Sequence, residues 1–210
     1  MFRGLYPIID TGACWRASIR PQALAEAIAA AGMPIAQFRH KGPCTREALE
    51  QAEEIGRILR RSGVRYVIND RADAALLVGA DGVHLGQEDL PPARVRHMVG
   101  SSVWIGYSTH NAAQLRLGDL EPVDYLAIGP VFPTGSKEKP DPVLGIEALP
   151  ELRRLTRKPL VAIGGITRAN AAGVLAAGVD AVAVISDLLA DDLEGRLKEW
   201  LQLTPQNQQP

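Results

Sequence analysis

The chain repeats one pattern from end to end: a short apolar run, then a segment whose apolar residues have helical spacing. Most of the apolar runs are continuous rather than alternating, which is typical of parallel strands covered on the outside by helices. The predicted strands are residues 5–9, 35–38, 66–68, 82–85, 103–106, 125–128, 160–163 and 181–185. The predicted helices include residues 21–31, 46–61, 94–99, 112–117, 146–155, 169–177 and 188–203.

Eight strand–helix units in 210 residues, about 26 residues each, predict an α/β fold: a (β/α)8 TIM barrel of near-minimal size. The main alternative is a doubly wound open sheet, which would carry a GxGxxG turn after the first strand. Here that turn reads DTGAC (10–14), and the count of eight favours the closed barrel. We expect one catalytic domain over residues 1–203 and a polar tail over 204–210. Glycines 32, 63, 79 and 178 are predicted C-caps, and threonines 45 and 167 predicted N-caps.

Composition excludes several classes of function. A formal net charge of −1, from 23 basic and 24 acidic residues, offers no general attraction to nucleic acid or to anionic membranes. We find no apolar stretch near the ~20 residues that span a bilayer, and no signal peptide. The two cysteines, Cys14 and Cys44, form no CxxC pattern and have no predicted catalytic role. The sequence therefore predicts a reduced cytoplasmic protein, with no nucleic-acid or membrane partner, that is free to form a homo-oligomer.

Basic and amide side chains follow the second strand. Gln37, Arg39 and Lys41 are spaced by two, so an extended chain points all three toward the barrel interior and the alternate residues, such as Phe38, toward the helices. Unpaired buried charge is costly, and a polyanionic ligand would supply the partner. The alternative is a solvated rim in which loop carboxylates pair with these cations.

Acidic side chains follow the third and fourth strands. Asp70 and Asp89 lie on neighbouring strands and can approach each other at the rim, where two carboxylates beside an anionic ligand suit Mg²⁺. Each also has a plain structural interpretation as the N-cap of the next helix, and Glu88 competes with Asp89 as a ligand. His84 lies inside an apolar strand and is interpreted as a satisfied interior residue.

The remaining rim segments are suited to phosphate. Ser108 and Thr109 follow the fifth strand, although either could simply cap a helix. Residues 129–142 form the longest loop, which we interpret as a lid carrying Thr134, Ser136 and Lys137. Glycines and hydroxyls follow strands seven and eight, the usual phosphate site of barrel enzymes. Two anion sites in one mouth indicate group transfer between two phosphorylated small molecules, with diphosphate leaving.

These segments resemble the motifs of thiamine-phosphate synthases, in the same order along nearly the whole chain. The matching segments are QFRHK (37–41), INDR (68–71), DGVHLGQED (81–89), GYSTH (106–110), GPVFPTGSK (129–137), AIGGI (162–166) and VIS (184–186). The resemblance implies condensation of 4-amino-2-methyl-5-hydroxymethylpyrimidine diphosphate with a thiazole phosphate. Diphosphate would leave first, and the thiazole nitrogen would then attack the methylene cation, so that no general base is needed.

The resemblance also implies a role for each matching residue. The implied pyrimidine diphosphate ligands are Gln37, Arg39, Lys41, Asn69, Ser108 and Lys137, of which Arg39, Lys41, Ser108 and Lys137 form the predicted catalytic set. The implied thiazole phosphate ligands are Thr134, Ser136, Gly165, Ile185 and Ser186, and the implied Mg²⁺ ligands are Asp70 and Asp89. Two other functions compete with this one: a thiazole tautomerase of the same fold, expected to carry a histidine at the position of Pro130, and a non-enzymatic thiamine-precursor-binding protein.

Overall fold

A computed structural model describes residues 2–135 and 141–204. In those residues, eight parallel strands hydrogen-bond in sequence order and close into a barrel, as predicted. The strands are β1 Gly4–Asp10, β2 Ile35–Arg39, β3 Arg65–Asn69, β4 Gly82–Leu85, β5 Trp104–Thr109, β6 Tyr125–Ile128, β7 Leu160–Ala162 and β8 Ala181–Val184. The helices are α1 Thr11–Arg16, α2 Pro21–Ala30, α3 Arg46–Arg61, α4 Ala72–Leu77, α5 Pro92–Val99, α6 Ala112–Leu120, α7 Leu149–Arg153, α8 Ala171–Ala176 and α9 Leu193–Leu203.

Two buried clusters divide the core by strand parity. Phe38 and its outward-facing counterparts on the other strands pack with the helices, as the spacing predicted. The inward-facing cluster includes Tyr6, Val67, Tyr125 and Val161 and fills the barrel lumen. Alternate residues of each strand therefore belong to different cores, because successive side chains point to opposite faces.

Several predicted element ends are confirmed. The hydroxyl of Thr45 accepts a hydrogen bond from the Ala48 amide and caps α3. Each of the four predicted C-cap glycines adopts a left-handed φ between 62° and 99°, which an L side chain strains to adopt.

Other predicted ends are wrong. Asn170, not Thr167, immediately precedes α8. The predicted last helix instead divides into a 3-10 turn at Ser186–Leu188 and α9, because the carboxylate of Asp192 accepts from the Gly195 amide and starts a new helix. A short helix, α1, lies where no helix was predicted; the Asp10 carboxylate caps it by accepting from the Ala13 amide.

Candidate active site

The carboxyl ends of the strands bring most of the predicted site residues to one rim. Arg39 and Asn69 are the last residues of β2 and β3, and Ser108 lies one residue before the end of β5. Gly165 and Ile185 follow β7 and β8. Because parallel strands of one barrel all end at the same face, these residues share a mouth although they are far apart in sequence.

Both cations at the carboxyl end of β2, Arg39 in the strand and Lys41 after it, are paired with carboxylates. The Arg39 guanidinium contacts the Asp10 carboxylate, with both side chains largely buried. The Lys41 ammonium lies 2.5 Å from the Asp70 carboxylate at a more exposed position. Of the two partners predicted for these cations, an anionic ligand and rim carboxylates, the structure shows carboxylates in contact with both cations, and binding of an anion stays a prediction. A bound anion would add to existing ion pairs rather than satisfy lone charges.

Asp70 and Asp89 lie against each other, and neither caps a helix. Burial and the neighbouring Asp70 carboxylate raise the pKa of Asp89, while a hydrogen bond from the Gly86 amide, 2.7 Å away, opposes that rise. Glu88 points to solvent. Asp70 has φ +64°, an uncommon conformation for a non-glycine residue, and such strain concentrates at functional sites.

This pair of carboxylates fits Mg²⁺. The ion is commonly held by one or two carboxylates, with water and substrate phosphates completing the octahedron. Within the described ranges, no three His, Cys, Asp or Glu side chains gather closely enough to bind a metal by themselves. The chemistry of Asp70 and Asp89 therefore fits a cation that would offset the repulsion between the two carboxylates.

Asn69 presents an unsatisfied donor at the same place. The side chain is buried, and its amide nitrogen has no hydrogen-bond partner among the described residues. A cavity of about 230 Å³ is lined there by Lys41, Asn69, Asp70 and Asp89. An unpaired buried amide carries a desolvation cost that an acceptor oxygen of a ligand would remove.

A chain of hydrogen bonds crosses the lumen beneath the mouth. The amide nitrogen of Gln37 donates to the Tyr6 hydroxyl (3.1 Å), which lies 2.9 Å from the Tyr125 hydroxyl. Tyr125 in turn lies 2.9 Å from Nδ1 of His84, whose Nε2 lies 2.8 Å from the Ser108 hydroxyl. The chain therefore joins two predicted site residues on opposite sides of the barrel. His84 is a satisfied interior residue, as predicted, and Ser108 does not cap a helix.

Burial fixes the protonation states along this chain. Desolvation lowers the pKa of His84 to about 4 and raises the pKa of Tyr6 to about 12. Burial, followed by the nearby Tyr6, raises the pKa of Tyr125 well above its ordinary value. At neutral pH the imidazole is therefore uncharged and both phenols keep their protons.

The loop after β7 packs tightly against the loop after β6. Gly164 and Gly165 have φ +89° and +65°, and a Cβ on either would lie 2.5 Å from atoms of Pro130 and Pro133. The Phe132 amide donates to the Gly164 carbonyl over 3.1 Å. Glycine is required here because two backbones meet without room for a side chain.

Beside the two glycines, an ion pair joins the loops after β7 and β8. Arg168 donates through Nε to the Asp187 carboxylate over 2.9 Å, which connects the two segments that carry Gly165, Ile185 and Ser186. Thr134 is half-buried and Ser186 exposed. The predicted Ser136 and Lys137 lie outside the described residues, as does the predicted tail from residue 205 onward.

Sequence reasoning missed several residues that organise the site: Asp10, Tyr6, Tyr125 and Asp187. Asp10 has the same strand-end position as the residues that were found. The two tyrosines were absorbed into apolar strand runs, and only their shared inward parity could have indicated them. Cys14 was placed in a loop but lies buried in α1, whereas Cys44 is exposed, and both thiols are free.

The combination of a closed parallel barrel and a polar mouth with paired carboxylates and basic groups defines a barrel enzyme with a site suited to anionic ligands. The family model described as thiamine monophosphate synthase matches residues 5–188. The chain belongs to this family, whose curated members include transferases of thiamine biosynthesis.

Thiamine-phosphate synthases of other organisms are similar in sequence to most of this chain. A thiamine-phosphate synthase of Koribacter versatilis is 50% identical over 179 residues, covering 85% of this chain and 84% of that protein. One of Chloroflexus aurantiacus is 40% identical over 188 residues, covering 90% and 86%. The solved structure of a thiamine phosphate pyrophosphorylase from Pyrococcus furiosus superposes with a TM-score of 0.83 at 33% identity, covering 95% and 94%.

Proposed function

We propose that this chain is a thiamine-phosphate synthase, which joins 4-amino-2-methyl-5-hydroxymethylpyrimidine diphosphate to a thiazole phosphate and releases diphosphate. The observation that carries the proposal is the meeting of Lys41, Asp70, Asp89 and the unpartnered amide of Asn69 around one cavity. Basic, amide and carboxylate groups together suit a magnesium diphosphate better than either charge alone would.

The diphosphate subsite lies at the ends of β2, β3 and β5. Arg39 and Lys41 contribute positive charge, and Asn69 and Ser108 contribute hydrogen-bond donors. Asp70 and Asp89 are the residues that would hold Mg²⁺, which when bound offsets the charge that grows on the leaving diphosphate. Gln37, whose amide is anchored by Tyr6, is the proposed contact to the pyrimidine end of the same substrate.

The thiazole phosphate subsite lies at the loops after β7 and β8. Gly165 exposes backbone at a point where no side chain fits, and Ile185 and Ser186 lead into a 3-10 turn. Thr134, in the loop after β6, is the proposed hydroxyl contact to the same phosphate. The predicted contributions of Ser136 and Lys137 belong to the same subsites and stay predictions, as do the cytoplasmic location and any homo-oligomer.

The proposed reaction needs no acid–base constellation. The bond from the pyrimidine methylene carbon to the diphosphate oxygen breaks, and the oxygen keeps the electron pair. The lone pair of the thiazole nitrogen then forms the new carbon–nitrogen bond. The protein acts by holding both substrates in one mouth and stabilising the departing negative charge.

Among the described residues, no helix is long and apolar enough to cross a membrane.

Direct turnover tests the proposal. Purified protein is incubated with both phosphorylated precursors and MgCl₂, and thiamine phosphate is separated and quantified, with single-precursor reactions as blanks. Product that requires both precursors and Mg²⁺ is expected. A folded protein that forms none would contradict the proposal. Supplying the thiazole phosphate alone, as its unconjugated tautomer, tests the tautomerase alternative, for which isomerisation without condensation is the signature.

A further inference from the structure

In the hydrogen-bonded chain through the lumen, both tyrosine protons have acceptors when the donors run from Gln37 toward Ser108. We propose that His84 and Tyr125 are positioning residues that turn the hydroxyl proton of Ser108 toward the mouth, so that Ser108 is a fixed donor to a phosphate oxygen. This inference rests on the proposed function, because that phosphate belongs to the leaving diphosphate.

The direction follows from counting protons. The Gln37 amide nitrogen donates to the Tyr6 hydroxyl, and Tyr125 is the other hydroxyl within hydrogen-bond distance of it. Among these groups, the Tyr6 proton therefore has an acceptor when Tyr6 donates to Tyr125. Tyr125 must then donate to Nδ1 of His84. A neutral imidazole that accepts at Nδ1 carries its proton on Nε2, which donates to the Ser108 oxygen. The Ser108 hydroxyl proton then has no acceptor among the hydrogen-bonded groups of the lumen.

The arrangement requires an uncharged His84, and the surroundings keep it so. The ring is buried in the barrel lumen. A cationic ring would donate from both nitrogens and could not accept from Tyr125. Burial favours the uncharged ring, and the direction of the hydrogen bonds follows from the partners of its two nitrogens.

Gly106 provides an independent sign that the His84–Tyr125 contact is built into the barrel. The strand register places Gly106 of β5 directly between His84 of β4 and Tyr125 of β6. A Cβ at position 106 would lie 2.4 Å from His84 Nδ1 and 2.4 Å from the Tyr125 hydroxyl oxygen. The hydrogen bond can pass over β5 only because that residue has no side chain.

A fixed donor has a chemical use at this site. A free serine hydroxyl rotates and must be oriented by the ligand, whereas Ser108 would present its proton before the diphosphate arrives. Donors that need no reorganisation stabilise developing negative charge most effectively. His84 and Tyr125 would not touch the substrate for this purpose; they would act through Ser108.

The tautomer of His84 tests the proposal without turnover. Long-range ¹H–¹⁵N NMR of uniformly labelled protein at neutral pH should show the Nε2–H form, with the signal assigned by its loss in His84→Gln. Tyr125→Phe removes the donor to Nδ1 and should shift the ring toward a tautomer mixture. A dominant Nδ1–H form in the wild type would overturn the proposal, because Nδ1 would then donate to Tyr125 and Nε2 would accept the Ser108 proton.

A double-mutant cycle on the affinity for inorganic diphosphate with Mg²⁺ provides the second measurement. Ser108→Ala should weaken binding by roughly 10- to 100-fold. Tyr125→Phe should weaken it by less, and should cause no further loss when Ser108 is already alanine. His84→Gln, whose amide can still donate to Ser108, should retain more affinity than His84→Leu. Equal losses from Tyr125→Phe with and without the Ser108 hydroxyl would overturn the proposal.

Tyr66→Phe is the matched control. Tyr66 is also fully buried and donates to the Ala52 carbonyl over 2.7 Å, but it faces the helices. Its loss should lower stability and leave both the His84 tautomer and diphosphate affinity unchanged. Failure of turnover with an intact Nε2–H signal and tight diphosphate binding would count against the proposed synthase activity and leave the role of His84 standing.

Discussion

The Asp10 carboxylate lies against the Arg39 guanidinium, and the register of β1 and β2 places the two residues side by side. The same carboxylate caps α1 through its other oxygen, 2.7 Å from the Ala13 amide. One buried acid therefore orients a predicted substrate-binding arginine and starts the helix beside it. Removing one partner of such a buried ion pair is destabilising, because the desolvation cost of the other charge remains.

Asp10→Asn should separate these two roles. Asparagine caps helices as well as aspartate does, so α1 is retained while the ion pair between Asp10 and Arg39 is lost. We expect the free energy of unfolding to fall by about 3 kcal/mol, with a higher KM for the pyrimidine diphosphate. Denaturant unfolding and steady-state kinetics measure the two effects. Glu151→Gln breaks an exposed pair with Arg154 and should cost less than ~1 kcal/mol; an equal cost for both variants would contradict burial as the cause.

Asp89→Asn should raise the thermal stability of the protein and abolish its Mg²⁺-dependent turnover. The substitution removes the repulsion between Asp89 and Asp70, and we expect the Tm in metal-free buffer to rise by roughly 2–4 °C. Asp70→Asn is the matched control, because it strips Lys41 of its partner and should give no such gain. Thermal melts with and without MgCl₂, followed by turnover assays, check both. Unchanged Mg²⁺-dependent turnover in either variant would show that the metal assignment is wrong.

Gly165→Ala should impair the proposed thiazole phosphate subsite more than it impairs the fold. Its left-handed φ makes alanine cost about 1–2 kcal/mol, and the added Cβ would lie 2.5 Å from the Pro133 carbonyl oxygen. Gly63→Ala has the same backbone cost, at φ +72°, with no atom within 4 Å of the new Cβ. We expect the free energy of unfolding to fall in both variants, more in Gly165→Ala because of the added contact, and the KM for thiazole phosphate to rise in Gly165→Ala alone. A raised KM in both variants would contradict the assignment.

The two cysteines should differ in reactivity and in their effect on pH stability. Burial, with a contribution from Asp10, raises the pKa of Cys14 to about 11, so the folded state holds this proton more tightly than the unfolded state does. Stability from this group is complete below about pH 9 and is lost as pH rises toward 11. The difference in stability between wild type and Cys14→Ala should narrow over that interval.

Thiol titration measures the difference in reactivity between Cys14 and Cys44 directly. A disulfide reagent at pH 8 should label Cys44 alone in the native protein and both thiols in denaturant, because only Cys44 is exposed. Rapid labelling of two thiols in the native state would show that α1 does not shield Cys14.

Strand positions were predictable because a strand that is buried on both faces has a continuous run of apolar residues. Residues 82–85 and 125–128 were predicted at the observed bounds, since continuous apolar runs end abruptly at polar or glycine residues. The ends of short helices were less predictable. Capping depends on which nearby side chain accepts a hydrogen bond from an amide of the first turn. Asp192 accepts it in α9 and Asn111 accepts it in α6, rather than a threonine or serine.

The partners of the site residues were beyond local sequence reasoning. Strand parity correctly sends Gln37 and Arg39 inward, but nothing local indicates that Arg39 meets Asp10, 29 residues away, or that His84 meets Tyr125, 41 residues away. Such contacts depend on the register between strands. A shift of one residue in either strand would point each side chain to the opposite face.

The sequence by itself determined the eight-unit barrel, the face that carries the polar residues and the family motifs, because periodicity and strand-end position are properties of neighbouring residues. Only the tertiary structure decided the charge state and direction of each group. Arg39 and Lys41, which were expected to need an anion, already have carboxylate partners, and Ser108 is joined through His84 to the far side of the lumen. The physical reason is that burial and hydrogen-bond geometry arise only when the barrel closes and brings distant strand ends within a few ångströms of one another.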